Sequence, residues 1–415
     1  MSDQLFQTTG HPFEEIIRNQ TFEDGRELSV INFGPTHPST HGVFQNILLL
    51  DGDTILDADT TLGYIHRAFE KISEKRTFYQ ITTLTDRLNY CSAPLNNMAW
   101  WMTAEKALNV EVPKRAQYMR IIVMELARIA DHIICNGVLG VDLGAYTGFL
   151  YVMTYRELIY EIYEEICGAR LTTNMGRIGG FERDWSEACW QKIDKFLEGF
   201  PHAWDELEKL FVRNRIFMDR TIDVGVISAE KAIDYGFTGP NLRGTGVDYD
   251  VRMMNPYSSY EDFDFNIPVG KSGDTYDRWC VRAGEVKESV KIIRQAVEKL
   301  KNMKGGPYHA DVPDYYLPPK EDVYTEMEAL INHFKIIMGE VDIPVAEVYH
   351  SIEAANGELG MYLVTDGSRS PYRLHFRRPC FVFYQAFPEL IRGGSISDAV
   401  TTLSSLNVIA GELDA

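Results

Sequence analysis

The chain has 415 residues, 45% hydrophobic and 24% charged, which is typical of a soluble globular protein. Its 60 acidic residues outnumber its 41 basic ones and give a formal charge of -19, which argues against nucleic acid and anionic lipid surfaces as partners of the whole chain. The six cysteines have no metal-binding spacing and do not indicate a disulfide scaffold, so we expect a reducing compartment.

The N-terminal part of the chain is predicted to be an arm followed by a β-rich segment. Residues 1–27 are polar and unpatterned, with no signal or transit peptide, so we expect a cytoplasmic protein. The β-rich segment covers residues 28–95. Its three predicted strands are 28–32, 43–50 and 54–59. The loop between the first two strands contains His37 and His41, and its two prolines exclude a helix through it.

The middle and the end of the chain differ in their periodicity. Residues 96–340 are predicted to be a helical bundle. Its helices are expected at 96–108, 114–135, 146–167, 185–197, 203–211, 276–300 and 322–338.

Residues 341–415 are predicted to be β-rich. The strands there are 345–351, 361–364 and 372–376, and a helical turn or two is expected at 398–405. The expected fold is mainly helical α+β, a bundle flanked by small sheets from both chain ends.

One apolar stretch, Asn136 to Tyr155, has the length of a membrane span. Its four glycines, its threonines and Asp142 favour instead a buried helix, or a helix and a loop, in a soluble protein. A carboxylate in such a stretch is costly unless another group pairs with it. We therefore expect Asp142 to have a partner from elsewhere in the chain.

Two short motifs have alternative interpretations that the sequence weakens. Gly270-Lys-Ser272 lacks the first glycine of a phosphate loop, because Phe265 stands at that position. The sequence also has no dinucleotide fingerprint after a strand, so NADH is not an expected ligand. His37 and His41 have the spacing of a helical zinc site, but Pro38 breaks that geometry. Such a histidine pair is more often structural, although ligand-facing residues concentrate in loops that a scaffold holds rigid.

Six motifs in order give the chain a family resemblance. They are Gly34-Pro-Thr-His-Pro-Ser-Thr-His-Gly42, Gly63-Tyr-Ile-His-Arg67 with Glu70-Lys71, Arg87-Leu-Asn-Tyr90, Asp142-Leu-Gly144, Arg177-Ile-Gly-Gly180 and Gly357-Glu-Leu-Gly360. Together they resemble the quinone-site subunit of respiratory complex I, which is the D subunit in bacteria and the 49-kDa subunit in mitochondria. That family is related to the large subunit of nickel–iron hydrogenases, so the resemblance implies a bundle of the hydrogenase type.

The resemblance implies a role for four residues in a proton-translocating NADH:quinone oxidoreductase. His41 and Tyr90 would hydrogen-bond the quinone headgroup, and Asp142 would partner the histidine. Arg87 would lie near an iron–sulfur cluster that a neighbouring small subunit holds, while this chain would hold neither a metal nor a cluster. The other implied partners are peripheral-arm subunits of the C and I type and a membrane subunit of the H type at the quinone channel. The chain would be peripheral, on the cytoplasmic side of the cell membrane.

The nickel of the related hydrogenases is held by two Cys-x-x-Cys pairs. The equivalent positions in this chain are Asn89, Ser92, Ile409 and Glu412. These side chains cannot replace four thiolates around a soft metal. We therefore expect that the nickel site is lost and that the vacated cavity serves the quinone.

The chain also departs from the family pattern. The family's histidine before the Arg-Ile-Gly-Gly turn is Thr172 here, and the last residues, from Asn407 to Ala415, lack the usual Asp-Pro and terminal arginine. These changes affect the expected proton chemistry and not the expected fold. Two other functions remain open at this point: a hydrogenase-type metalloenzyme, which elemental analysis would reveal, and a purely architectural subunit without reactive residues.

Overall fold

The structure, a computed structural model, describes residues 28–303, 305–339 and 341–415. The arm predicted at residues 1–27 lies outside the described residues. The protein is 54% helical with 13% strand in small sheets. This confirms the predicted mainly helical α+β fold, while the division into domains stays a prediction.

Three small antiparallel sheets flank the helices. Their strands are β1 Leu28–Phe33, β2 Gln45–Asp51 and β3 Thr54–Thr61; β4 Gly176–Arg177 and β5 Gly180–Phe181; and β6 Ala346–Ala354, β7 Gly357–Thr365 and β8 Arg373–Arg377. In the first sheet Ile31 pairs with Leu48, and in the third Val348 pairs with Leu363. Strand β7 begins at Gly357, before the predicted strand, and includes Gly360, where a Cβ atom would collide with the Tyr349 side chain.

The helices form the bulk of the described chain. They are α1 Phe69–Ser73, α2 Phe78–Thr85, α3 Ala93–Leu108, α4 Lys114–Asp142, α5 Tyr146–Cys167, α6 Glu187–Val212, α7 Arg215–Thr221, α8 Ala229–Asp234, α9 Gly239–Arg243, α10 Val251–Met254, α11 Thr275–Asn302, α12 Lys320–Thr325, α13 Met327–Met338, α14 Pro379–Tyr384, α15 Phe387–Ile391, α16 Ile396–Leu406 and α17 Ala410–Leu413. Short 3-10 turns occur at Pro38–Thr40, Tyr90–Ser92 and Tyr260–Asp262.

Helix α4 is the centre of the bundle and is buried along most of its length. Its apolar residues pack into the main core, while its charged residues are paired with neighbouring elements. Arg120 donates to Glu105 of α3 at 2.7 Å, and His132 lies 2.8 Å from Glu285 of α11. Pairing offsets the cost of burying these charges. Helix α4 is therefore a buried scaffold that ends at Asp142, which is partly exposed.

Helix α6 corrects the prediction of two separate helices at 185–197 and 203–211. It is one helix with Pro201 inside it. Proline lacks the N–H that would bond to the carbonyl of Leu197 four residues earlier. Arg294 of α11 donates to that carbonyl at 3.0 Å instead. The helix continues because another helix satisfies the group that proline leaves free.

Two other predictions in the C-terminal half are wrong. The helix predicted at 322–338 is broken at Glu326, whose backbone is extended, so α12 and α13 are separate. The segment 341–415, predicted to be β-rich, is strand only as far as Arg377, and α14 to α17 follow. These helices pack against the first sheet. For example, Phe387 of α15 and Leu48 of β2 belong to one apolar cluster. Both ends of the described chain therefore share one core.

The apolar stretch Asn136 to Tyr155 forms the end of α4, a turn and the start of α5. The prediction of a helix and a loop is confirmed. Gly144 in the turn has a φ of 86°, which favours glycine. Within the described ranges of the chain, no helix is both long and apolar enough to cross a membrane.

Candidate functional site

His41 follows the 3-10 turn Pro38–Thr40 in the loop between β1 and β2. Pro38 starts that turn, so the prediction that prolines exclude a helix is wrong for this single turn; proline is tolerated at a first helical position. The His41 backbone has a φ of 53°, and its N–H donates to the Pro38 carbonyl at 3.0 Å. A left-handed residue other than glycine persists only where its surroundings impose it. The loop therefore fixes the backbone from which the imidazole projects.

His37 has a structural contact in the same loop. The Ser39 N–H donates to Nδ1 of His37 at 3.2 Å, and the ring lies 4.6 Å from the Phe33 ring, centroid to centroid. Nδ1 therefore acts as an acceptor for the backbone. This arrangement holds the loop in shape and leaves His41 as the histidine at its open end.

Asp142 is the last residue of α4, and its carboxylate accepts a hydrogen bond from the Ser404 hydroxyl of α16. Ser404 is thus a partner from elsewhere in the chain, as we expected. His37 and His41 also lie within electrostatic range of this carboxylate. Burial raises the pKa of Asp142, although the Ser404 hydrogen bond and the two histidines oppose the shift. The structure therefore places His41 within electrostatic range of Asp142, although no hydrogen bond or ion pair joins the two side chains among the described residues.

The same balance holds for His41. Burial lowers the pKa of the imidazole, and the nearby Asp142 carboxylate opposes that shift without cancelling it. At neutral pH the ring therefore carries a proton less often than a free histidine does. The two groups form a pair in which desolvation favours the neutral form of each partner.

Tyr90 is the first residue of the 3-10 turn that precedes α3, and it is half-buried. It packs against the apolar cluster that contains Phe44 and Phe383. Burial, with Cys91, Cys380 and Asp131 nearby, raises the pKa of Tyr90 to about 12. The residue is therefore a neutral phenol at physiological pH.

The Tyr90 hydroxyl has no hydrogen-bond partner in the described parts of the chain, and no hydrogen bond joins it to His41. Both residues border the same apolar cluster. Phe44, which follows His41 closely in the chain, belongs to this cluster, and Val43 packs against it. The structure thus places the two predicted headgroup contacts at one cluster without bringing their side chains into contact.

A buried polar network begins at Asn89, next to Tyr90. Asn89 donates to Oδ2 of Asp131 in α4 at 2.8 Å, and Asn407 donates to Oδ1 of the same carboxylate at 2.7 Å. Asn89 and Asp131 are fully buried, and Asn407 is nearly so. Both carboxylate oxygens are therefore held by amides from opposite ends of the chain.

The network continues from Asn407 to the C-terminal helix. The Asn407 amide donates to the Asn356 oxygen at 2.5 Å, and Asn356 donates to Oε2 of Glu412 at 3.3 Å. The Cys380 thiol donates to the same Glu412 oxygen. Burial raises the pKa of Glu412 to about 7, against the opposing hydrogen bonds from Cys380 and Asn356. Its other oxygen, Oε1, is buried and has no partner within the described residues.

This network occupies the region of the four positions that the resemblance equates with the nickel ligands of hydrogenases. Their positions are all at most 3% exposed, and they are Asn89, Ser92, Ile409 and Glu412. The two segments that contain them touch, because a Cβ atom at Gly411 would collide with the Arg87 carbonyl. In residues 28–303, 305–339 and 341–415 no group of three metal-ligating side chains could hold a metal ion. That the vacated cavity serves the quinone stays a prediction.

Hydrogen bonds from Asn97 connect the segment that contains Arg87 with the segment that contains Thr172. Asn97 donates to Asp86 at 2.8 Å and also to the Thr173 carbonyl. Asp86 precedes Arg87, and Thr173 follows Thr172, so the two segments lie side by side. The Arg87 side chain is exposed and forms no ion pair within the described residues.

Sequence reasoning did not identify Ser404, Asn356 or Cys380, because no local pattern marks them. Asp131 had a signal: it is a carboxylate within an apolar helical stretch, as Asp142 is. The sequence also did not predict a cavity of about 980 Å³, which none of the predicted site residues lines. Arg177 of the Arg-Ile-Gly-Gly motif contributes to that cavity.

Comparisons with known proteins agree with one another. A family profile described as "Respiratory-chain NADH dehydrogenase, 49 Kd subunit" matches residues 142–415. The chain is 73% identical to the NADH-quinone oxidoreductase D subunit of Flavobacterium johnsoniae over 405 residues, which cover 98% of each protein. It is 52% identical to the D subunit of Leptospira biflexa over 396 residues, 95% of this chain and 97% of that protein. It is 46% identical to the C/D subunit of Bdellovibrio bacteriovorus over 384 residues, 92% of this chain and 68% of that protein.

Proposed function

The chain belongs to the family of NADH-quinone oxidoreductase D subunits, and we propose that its His41, Tyr90 and Asp142 form the quinone-reduction site of that respiratory enzyme. The observation on which this rests is the position of His41, in the loop between β1 and β2, within electrostatic range of the Asp142 carboxylate at the end of α4. Perturbed titratable pairs of this kind are frequent at functional sites. The separation of Tyr90 from His41 leaves the two donors free to contact different oxygens of one headgroup.

Reduction of a quinone to a quinol consumes two electrons and two protons. The electrons would come from an iron–sulfur cluster held by a neighbouring subunit. The protons require donors at the two carbonyl oxygens, which become far more basic as reduction proceeds. Tyr90, a neutral phenol with no competing hydrogen bond, would donate to one oxygen, and His41 would donate to the other.

Asp142 would act on the imidazole and not on the quinone. Its negative charge opposes the effect of burial on His41 and so increases the fraction of imidazolium that is ready to donate. When His41 gives up its proton, Asp142 loses a positive neighbour in a partly desolvated site. Such a local change of charge can bias a two-state element, and it would thereby couple quinone reduction to proton translocation in the membrane part of the enzyme.

Two surfaces suit partner subunits that we propose for this chain. The unpaired Arg87 suits the small subunit with its anionic cluster. Tyr146 and Leu150, which are 61% and 65% exposed just after Asp142, suit an H-type membrane subunit at the quinone channel. The C/D name of the Bdellovibrio bacteriovorus relative supports a C-type neighbour, and an I-type subunit completes the proposed peripheral arm. We place the chain on the cytoplasmic side of the membrane.

Photolabelling tests the proposed site. The purified enzyme is irradiated with a quinone that has a photoreactive group on its ring, and labelled peptides are identified by mass spectrometry. We expect label within residues 34–42 or 87–92, and we expect excess unlabelled quinone to remove it. Label that is confined to other subunits, or that persists under competition, would contradict the proposal. An architectural subunit would give that result.

A further inference from the structure

Helix α13 presents its apolar face to solvent. Six side chains on one stripe are between 46% and 71% exposed, and they are Met327, Leu330, Ile331, Phe334, Ile337 and Met338. On the opposite side of the helix, Ala329 and Ile336 are buried. An amphipathic helix of a single globular chain normally turns its apolar stripe inward. We call these six side chains the α13 stripe.

The α13 stripe continues into the cavity of about 980 Å³, because Ile337 and Met338 also line that cavity. Aromatic side chains such as Tyr79 and Tyr316 also line the cavity. A pocket next to an exposed apolar stripe is an arrangement in which an anchoring side chain of a partner can be buried.

The cavity has an excess of positive charge, although the whole chain has a formal charge of -19. Four of its described lining residues are cations and two are carboxylates, and these six are Lys75, Arg76, Arg177, Arg369, Glu182 and Asp311. Arg177 already pairs with Glu182 at 2.6 Å. Lys75, Arg76 and Arg369 form no ion pair with any described residue. A ligand of this surface therefore gains by bringing carboxylates.

The shape of the surface selects a polypeptide. The α13 stripe runs along a helix of 12 residues, about 18 Å at 1.5 Å per residue, which matches a helical or extended segment better than a small molecule. A second copy of this chain is a poor match. A two-fold contact would place the Lys75, Arg76 and Arg369 cluster of one copy near the same cluster of the other.

We propose that the α13 stripe and the adjoining cavity form the docking surface for another subunit of the same enzyme. The docking segment presents apolar side chains to Phe334 and Ile337 and at least one carboxylate to Lys75 or Arg76. This inference goes beyond the proposed quinone site, since it uses none of His41, Tyr90 or Asp142.

Carbodiimide cross-linking of the intact purified enzyme tests the contact directly, because it joins amines to carboxylates that already touch. We expect an isopeptide bond between Lys75 and an Asp or Glu of a different subunit. We also expect Lys75 to react with an acetylating ester at least tenfold more slowly in the enzyme than in the chain expressed alone. A cross-link only to a second copy of this chain, or equal reactivity in both samples, would overturn the proposal.

A pair of variants tests the apolar half of the surface. Phe334→Asp places a charge at the centre of the α13 stripe, and Lys335→Asp places the same side chain on α13 outside the stripe. We expect about tenfold less of the other subunits to copurify with Phe334→Asp and normal copurification with Lys335→Asp. Both chains should unfold at the wild-type temperature when expressed alone, because Phe334 is 59% exposed. Normal assembly of Phe334→Asp would refute the docking surface, whereas failure of the quinone site would change turnover and not subunit content.

Discussion

Asn407 donates a hydrogen bond to Oδ1 of Asp131 at 2.7 Å, although 276 positions separate the two residues. This bond joins the last segment of the chain to the central helix α4 beside the Tyr90 turn. Asn407 has a φ of 56°, a left-handed conformation that asparagine tolerates. The family resemblance implies an Asp-Pro pair early in this last segment, whereas this chain has Asn407-Val and no Asp-Pro there.

Asn407→Asp is expected to make folding depend on pH. The new carboxyl group would face Asp131, and two carboxylates at hydrogen-bond distance cannot both ionise cheaply. The pKa of the new carboxyl group would be higher in the folded chain than in the unfolded chain. The group therefore stabilises the fold fully below its unfolded pKa, and this stabilisation is lost as the pH rises through its folded pKa. We expect the variant to lose about 2 kcal/mol of unfolding free energy at pH 8 and little at pH 4. Thermal unfolding across this range is the measurement, and a loss independent of pH would contradict the explanation.

We expect ionisation of Glu412 to lower the free energy of unfolding of the wild-type chain as the pH rises. Its pKa is about 7 in the fold against an ordinary 4.5, so its contribution is complete below pH 4.5 and is lost as pH rises through 7. A difference of this size corresponds to roughly 3 kcal/mol. Glu412→Gln keeps the uncharged form at every pH. We expect its unfolding temperature to exceed that of the wild type increasingly between pH 5 and 8, and parallel curves would refute the assignment.

Tyr90→Phe is expected to lower quinone reduction by about 10²-fold, the usual contribution of one positioned proton donor. The hydroxyl has no partner in the described residues, so its removal leaves no buried group unsatisfied and should not alter stability. Electron transfer from NADH to an artificial acceptor upstream should be unchanged. Normal quinone turnover in the assembled variant would exclude Tyr90 as a donor.

Tyr384→Phe is a matched control for Tyr90→Phe. The Tyr384 hydroxyl is buried and donates to Asn46 at 2.6 Å, so its loss leaves an unpaired oxygen on Asn46. We expect this control to lower the unfolding temperature and to leave turnover per assembled enzyme unchanged. The two phenylalanine variants should therefore show opposite patterns of stability and activity.

Asp142→Asn is expected to impair quinone turnover or proton pumping while preserving assembly. The amide keeps the volume and can still accept from Ser404, but it removes the charge that raises the pKa of His41. Ser404→Ala removes the hydrogen bond and keeps the charge, so its effect on turnover should be smaller. The assay is turnover normalised to subunit content. Loss of assembly in Asp142→Asn would instead indicate a structural role for the carboxylate.

Thr172 is expected to make the potential of the cluster proposed for the neighbouring subunit nearly independent of pH between about 5 and 9, because a hydroxyl does not titrate in that range. A titrating imidazole would shift a one-electron potential by as much as about 59 mV per pH unit. Redox titration of the cluster signal at several pH values measures the slope. We expect a flat response and a lower potential than in relatives with histidine, and Thr172→His should introduce a slope.

Another imidazole is a poor substitute for the missing histidine. His132 is fully buried and lies 2.8 Å from Glu285, and Nδ1 of His66 lies 2.7 Å from the Asp414 carbonyl oxygen. One nitrogen of each ring is therefore already engaged, which leaves only the other nitrogen to take up a proton with the cluster. A steep slope in the wild-type enzyme, with little added by Thr172→His, would show that one of them serves the cluster after all.

Local sequence patterns were sufficient to predict the helices and strands that bury one face. The periodicity of 114–135 and 276–300 predicted α4 and α11, and short runs between Gly and Asp turns predicted the strands of the first sheet. The carboxylate in an apolar stretch at Asp142 also predicted that a partner exists. These features follow from the burial of one face of a helix or strand, which a short window of sequence records.

Only the tertiary structure decided which distant groups meet. Pro201 stays within a helix because Arg294 reaches the Leu197 carbonyl, and the Asp142 partner is Ser404, more than half the chain away. The buried network around Glu412 and the outward stripe of α13 have the same origin. Hydrogen bonds and packing between distant segments depend on how the helices are arranged, and periodicity within one segment contains no information about that arrangement.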